Sequence, residues 1–235
     1  IKTKVDIKRR NKDNQLHISK LNGKLEGFYA IGTNTTTNNF CIKSNNPQSK
    51  LKINKSKIKN NMHLKNYIKI CNGNKQTTFA LWTKRIDIIN NYFDNNKKPK
   101  NLILIFSNSK IDKPILKPFG HFDKVFNNVT IDNPKYKAMQ NCTGQKCIDC
   151  LRCYKKSKSN NNNIIVEATK NKIKKPIKSI CEICYSHAGI KFRKHTMFKP
   201  LEKNSKLLQT DLAPIQIPKL PYIYFRFSHH GELIS

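Results

Sequence analysis

The segment TTFALWTKRIDIINNYF (Thr77–Phe93), followed after a short Pro-containing break by NLILIFS (Asn101–Ser107), decides the reading of the fold. TTFALWT is strand-like in composition, and the residues after it change period, with Ile86, Ile89 and Phe93 falling on one helical stripe. Pro99 and Asn101 then introduce an apolar run without polar alternation, the pattern of a strand buried on both faces. Strand, helix and doubly buried strand in succession predict a parallel sheet covered by helices.

The flanking chain extends this pattern. Upstream, HLKNYIKIC (His63–Cys71) places Leu64, Tyr67, Ile68 and Cys71 on one helical face, with Gly73 as a stop. Cys71 therefore reads as a small buried apolar residue. Downstream, HFDKVFNNVTI (His121–Ile131) reads as a strand with a turn in it and IIVEAT (Ile164–Thr169) as a short strand. FKPLEKNSKLLQ (Phe198–Gln209) reads as a helix and YIYFRFS (Tyr222–Ser228) as a last strand. The expected class is α/β: a βα-repeat forming an incomplete TIM-like barrel with largely parallel strands and two cysteine-rich metal-binding loops. Residues 1–61 are expected to be a basic N-terminal segment and linker, part of it packed on the core and contributing Cys41. Within it, residues 43–61 read as a solvated linker. Residues 62–235 are the barrel-like metal-binding domain.

The 235 residues carry 46 Lys plus Arg against 14 Asp plus Glu, a formal charge of +32. Arg supplies only six of these positive charges, at 9, 10, 85, 152, 193 and 226. Lys, Asn and Ile are residues of A/T-rich codons, so base composition accounts for part of the charge. The scarcity of Arg disfavours bidentate reading of bases or phosphates. A field of this size still attracts polyanions at moderate salt, and nonspecific nucleic-acid binding is expected. An apolar fraction of 37% excludes wholesale disorder. No stretch approaches the roughly 18 consecutive apolar residues of a membrane span, and the first twenty residues are charged rather than signal-like. No membrane partner is expected, and the protein reads as soluble and cytoplasmic.

Six of the eight cysteines fall in two tight groups. Cys142, Cys147, Cys150 and Cys153 have the spacing C-x4-C-x2-C-x2-C. Four thiolates within twelve residues can close around one metal centre. Zinc prefers two separated CxxC knuckles, whereas so compact a run is more usual for an iron–sulfur cluster. A disulfide framework is a poor fit for a Lys-rich chain without a secretory signal. Cys181 and Cys184 offer two ligands, and Cys41, preceded by an aromatic residue, is the best candidate for a third. A three-cysteine site leaves one iron of a cubane open to a substrate, whereas the four-cysteine site is closed, hence structural or electron-relaying.

YIYFRFSHHGELIS (Tyr222–Ser235) puts Arg226, His229, His230, Gly231 and Glu232 at the carboxyl end of a buried strand, where α/β sheets display functional groups. Glycine there permits close approach of a ligand, and the carboxylate suits an ammonium group, so Arg226, Gly231 and Glu232 are the cofactor-binding candidates. The two histidines read equally well as part of a charged turn. Thr83 and Lys84 end another strand, with Lys84 a candidate anion ligand.

Four blocks together resemble the phage and plasmid "gene product 88" family of small cysteine-rich proteins. They are CEICYSHAGIKFRKHTMFKPLEKNSKLLQ (Cys181–Gln209), YFRFSHHGELIS (Tyr224–Ser235), TTFALWTKRIDIINNYF with NLILIFS, and CTGQKCIDCLRCY (Cys142–Tyr154). The resemblance implies a reduced relative of the radical S-adenosylmethionine barrel. Its three-cysteine iron–sulfur set maps onto Cys41, Cys181 and Cys184, and its Gly-Glu pair, which holds the methionine amino group, onto Gly231 and Glu232. A reaction of this kind starts by reductive cleavage of S-adenosylmethionine, and the charge of the chain favours a nucleotide or nucleic acid as substrate. A phage-encoded member would work in the host cytoplasm. The block order is exchanged relative to the family: the CxxCY and FRFSHHGE blocks, which there come first, here follow FALWTK and the four-cysteine run. The alternative expectation is a non-enzymatic protein stapled by zinc, in which cysteines hold loops together and Lys-rich segments contact phosphate.

Overall fold

The structure, a computed structural model, describes residues 14–37, 41, 61–131, 134–169, 179–184, 186, 192, 194–228 and 231–234. The strands are β1 (Ser19–Lys20), β2 (Tyr29–Ile31), β3 (Thr78–Thr83), β4 (Leu102–Ile111), β5 (Lys124–Thr130), β6 (Ile164–Thr169) and β7 (Tyr224–Phe227). The helices are α1 (Met62–Gly73), α2 (Ile86–Phe93), α6 (Lys199–Leu207) and the single turns α3 (Pro134–Lys137), α4 (Cys147–Cys150) and α5 (Asn160–Asn163). Among the described residues these seven strands form one sheet in the order β1-β2-β7-β3-β4-β5-β6. Only β1 and β2 pair antiparallel; the other five pairings are parallel.

Alternation along the strands sorts side chains onto two faces. Ile31, Phe79, Leu81, Leu102, Leu104, Phe225 and Phe227 point to one face and are buried there under α1, α2 and the stretch from Leu208 to Leu220. The α1 stripe of Leu64, Tyr67, Ile68 and Cys71 enters this core, with Cys71 fully buried. Ala30, Ala80, Trp82, Ile103 and Ile105 point to the opposite face. The cover there is not a long helix but the four-cysteine loop, whose Cys147, Leu151, Cys153 and Tyr154 pack onto it together with Leu21 and Leu25.

The expected α/β class with largely parallel strands is present, and hydrogen bonding leaves the sheet open, with β1 and β6 as its edges. Side chains nevertheless bridge those edges. Lys24, in the turn between β1 and β2, ion-pairs with Glu167 on β6, and Lys146 reaches Glu26 at 3.3 Å. The sheet therefore curls around the four-cysteine loop. The βα alternation is also incomplete, because β4 passes to β5 through a loop braced by Asn127, whose side chain bonds both the N–H and the C=O of Ile115. The turn expected within His121–Ile131 lies ahead of the strand, at Phe119–Phe122, and β5 itself is continuous. Residues 14–37 are part of the sheet rather than an appendage, with Leu16, Ile18, Phe28, Ala30 and Ile31 buried. Of the expected linker, residues 43–61, all but Asn61 lie outside the described residues.

Buried asparagines hold the loops. Asn204 of α6 accepts from the His17 N–H at 2.7 Å and donates to the carbonyls of His17 and Gly32, both at 2.9 Å. Asn66 does the same for Leu208, Thr210 and Leu212, and Asn74 for Ile70, Pro218 and Leu220. Each removal would strand buried backbone groups. Asn204→Ala is expected to lower the unfolding free energy by about 2–4 kcal/mol in urea denaturation; a cost below about 0.5 kcal/mol would show that the bracket is dispensable.

Candidate functional site

The carboxyl ends of β2, β7 and β3 lie side by side, because Ile31 and Leu81 both pair in register with Phe227. Polar side chains that are almost fully buried gather there: Thr33, Thr35, His63, Thr83, Arg85, Ser228 and Glu232. The Glu232 carboxylate accepts from the Thr83 hydroxyl, from the Lys84 N–H at 2.8 Å and from the Leu233 N–H at 3.0 Å, and the Lys84 ammonium stands 4.0 Å away. Arg85 forms a bidentate pair with Asp87 and donates to the Leu233 carbonyl at 3.0 Å. Gly231 has φ +74°, and the space a Cβ would take is filled by Thr33, whose carbonyl oxygen would lie 2.7 Å from it. The close approach at Gly231 is thus made by the chain's own backbone. Glu232 is committed to fixing the loop that carries Lys84.

Three thiols share this neighbourhood. Burial and the Glu232 carboxylate push the Cys41 thiol well above its ordinary value, the Cys184 and Cys181 thiols add to that, and Lys84 opposes. Burial raises Cys181 likewise, again with Lys84 opposing. Burial pulls Lys84 down, but Glu232 and the thiols of Cys181, Cys41 and Cys184 outweigh it, so the ammonium ends above its ordinary value. Cys41, Cys181, Cys184, Lys84 and Glu232 therefore act on one another at the strand ends, although Cys41 and Cys181 are 140 positions apart in sequence. His229 and His230 lie outside the described residues.

The second thiol group lines the concave face. Cys142 bridges to Glu167 at the β6 edge, and its sulfur is 4.0 Å from the Lys24 ammonium. Burial raises Cys142 and Cys147, opposed by Lys24, and pushes Cys153 up to about 12, opposed by Arg226. Arg226 is placed here, its guanidinium 4.0 Å above the Trp82 ring. All eight thiols are free. Soft thiol donors in groups of three and four, each with a cation alongside, are chemically suited to an iron–sulfur cluster or zinc. As placed, no three His, Cys, Asp or Glu side chains among the described residues converge closely enough to hold a metal ion. A bound centre would have to draw the thiols together.

No family model matches the chain, and neither a curated protein nor a solved structure is similar to it. Among the described residues no helix is long and apolar enough to cross a membrane. Several residues of both sites were not singled out by sequence. Tyr154 carries a signal in hindsight, since Cys153-Tyr154 and Cys184-Tyr185 repeat the same dipeptide. Lys24 carries none, being one lysine among many, and His63, Tyr67 and Ser228 look like ordinary helix and strand residues.

Two outcomes follow from this geometry. Gly231→Ala combines a left-handed backbone with a clash against Thr33 and is expected to cost about 3 kcal/mol or more in denaturant unfolding; a neutral effect would contradict the packing. His63 is buried, accepts the Ile234 N–H at 3.0 Å on Nδ1, and is held down to about 3 by burial and by Arg85. The unfolded chain binds this proton below pH 6.5 while the folded chain does not, so stability falls as the pH drops from 6.5 towards 3. Loss of about 4 kcal/mol by pH 3.5 is expected from this residue alone. His63→Gln should flatten that part of the pH–stability curve; an unchanged slope would rule His63 out as its source.

Proposed function

We propose that this chain is an iron–sulfur protein on an incomplete α/β barrel, with radical S-adenosylmethionine-like chemistry at the carboxyl ends of β7 and β3. One arrangement supports the reading above all others. Cys41, Cys181 and Cys184, from distant parts of the sequence, share a neighbourhood with Lys84 and Glu232 at the ends of central parallel strands. That is the edge at which open α/β sheets present their chemistry. The curl of the sheet, with its edges bridged by Lys24 and Glu167, supports the barrel lineage.

In this reading Cys41, Cys181 and Cys184 hold an open cluster, and Cys142, Cys147, Cys150 and Cys153 hold a closed one on the concave face. A cluster with an open iron supplies one-electron reductive cleavage of the sulfonium when S-adenosylmethionine is bound. The chain's own residues provide the setting. Lys84 offsets the negative charge of three thiolates and offers an ammonium to an anionic group. Glu232 holds Lys84 in place through its backbone N–H, and Thr83 anchors that carboxylate to β3. Gly231 lets the loop seat on Thr33 beside the thiols. A cytoplasmic setting, where thiols stay reduced, belongs to the same proposal. So does a nucleotide or nucleic-acid substrate drawn in by the +32 charge.

Zinc in the four-cysteine loop is the second reading. The packing of that loop as a staple over Ala80, Trp82 and Ile103 favours it. The two separate on protein isolated without oxygen. Broad absorption near ~400 nm that falls by about half in Cys181→Ser and in Cys150→Ser alike is expected of two clusters. Cleavage of S-adenosylmethionine under a strong reductant should be lost in Cys181→Ser. Wild-type protein without absorption in this region would sink the proposal, and a Cys181→Ser variant indistinguishable from wild type would remove the open site.

A further inference from the structure

The concave face holds two buried hydrogen-bond donors that have no acceptor among the described residues: Nε of Arg226 and the hydroxyl of Tyr154. Leaving such groups unpaired in a folded interior is costly, and a residue kept this way calls for an acceptor that the side chains shown do not supply. Both belong to the sheet face covered by the four-cysteine loop. Cys147 and Cys153 pack on the cluster that contains Trp82 and Tyr154, and Arg226 lies on the Trp82 ring.

The strand register makes room for this arrangement. Arg226 pairs laterally with Ala30 on β2 and Ala80 on β3, so the smallest side chains of the concave face flank the guanidinium. Trp82 pins it from below, which a planar guanidinium accepts and an ammonium does less well. Tyr154 is likewise locked, with ring centroids 4.6 Å from Phe28, 5.6 Å from Tyr224 and 5.8 Å from Trp82. Tyr154 is fully enclosed, and although Arg226 as a whole is half-buried, its Nε is cut off from solvent. Lys24 is already paired with Glu167, and Lys124 donates to the Asn162 carbonyl and the Asn163 side chain, whereas the Nε donor of Arg226 is still unspent.

We propose that Arg226 and Tyr154 donate hydrogen bonds to the sulfurs of the four-cysteine centre and, with the Arg226 charge, set its reduction potential. They are positioning residues acting through the ligands, not ligands themselves. This rests on the iron–sulfur reading. Four thiolates leave a closed cluster anionic, and each added electron increases that charge within a curled, largely apolar sheet. A fixed cation and fixed donors to sulfur stabilise the reduced form and raise the potential. The step is a one-electron uptake from an added reductant, with no bond made or broken.

The test uses full-length wild type, Arg226→Gln, Arg226→Lys and Tyr154→Phe, isolated without oxygen. Iron and acid-labile sulfide are measured first, then each protein is titrated with a reductant and read by absorption and electron paramagnetic resonance. A Cys181→Ser titration identifies the four-cysteine centre as the one that persists. The expected result is equal iron in all four proteins. Arg226→Gln should show about a tenfold shift of that centre towards the oxidised form, 59 mV lower for one electron. Tyr154→Phe, which keeps the ring and its packing, should shift it less in the same direction, and Arg226→Lys should recover part of the loss. Equal potentials at equal iron content in every variant would overturn the inference and leave the iron–sulfur reading intact. Wild type without iron would overturn both, and that shows before any titration begins.

Discussion

The parallel seating of β7 between β2 and β3 is the constraint on which the rest depends. It brings the last strand of the chain against its first parallel strand and sets Ile31, Leu81 and Phe227 in one row. From that row the chain leaves β7 through Ser228, whose φ of +55° turns it sharply, and Gly231 settles on Thr33. Glu232 then reaches Thr83 and Lys84. The same register that aligns the strand ends also places Arg226 between Ala30 and Ala80 on the concave side. One pairing choice therefore sets the carboxyl-end cluster and the face under the four-cysteine loop together.

Two chemistries divide the polar content of the chain. Lysine dominates by number and, among the described residues, is mostly exposed, giving a long-range field rather than a site. Asparagine, which composition alone would assign to loops and codon bias, works inside. Asn34, Asn66, Asn74, Asn108, Asn127 and Asn204 are nearly fully buried, each bonded to backbone or side chains across the fold. An amide that both donates and accepts can satisfy a loop's N–H and C=O groups without the desolvation penalty of a charge. These brackets let long irregular connections pack against the sheet. The cysteine loop uses a different device, burying its own Leu151 and Tyr154 as a plug against Trp82 and Phe28.

What could be read from sequence follows from how local each signal is. β3, α2 and β4 are legible because a change of period and a doubly buried run are written within thirty residues. The α1 stripe and the burial of Cys71 are legible for the same reason. β1 and β2 are only two and three residues long, too short for periodicity, and they hide in a stretch that reads as basic and irregular. The open sheet, the central position of β7 and the Lys24–Glu167 bridge are products of non-local pairing. The site was legible in its cysteines and in Gly231 and Glu232 as residues. Their partners were not: Thr33 fills the glycine's space and Thr83 takes the carboxylate. Arg226, grouped with Gly231 and Glu232 by sequence, instead lies over Trp82 on the face of the other thiol group.

The central claim is that the two thiol groups are clusters' ligands and not merely buried cysteines. The most direct measurement is Mössbauer spectroscopy of the full chain isolated without oxygen from cells grown on ⁵⁷Fe. The account predicts the valence-delocalised signature of cubane iron–sulfur clusters, with one iron site perturbed when S-adenosylmethionine is added. A spectrum without cluster iron, with zinc found by elemental analysis, would contradict it.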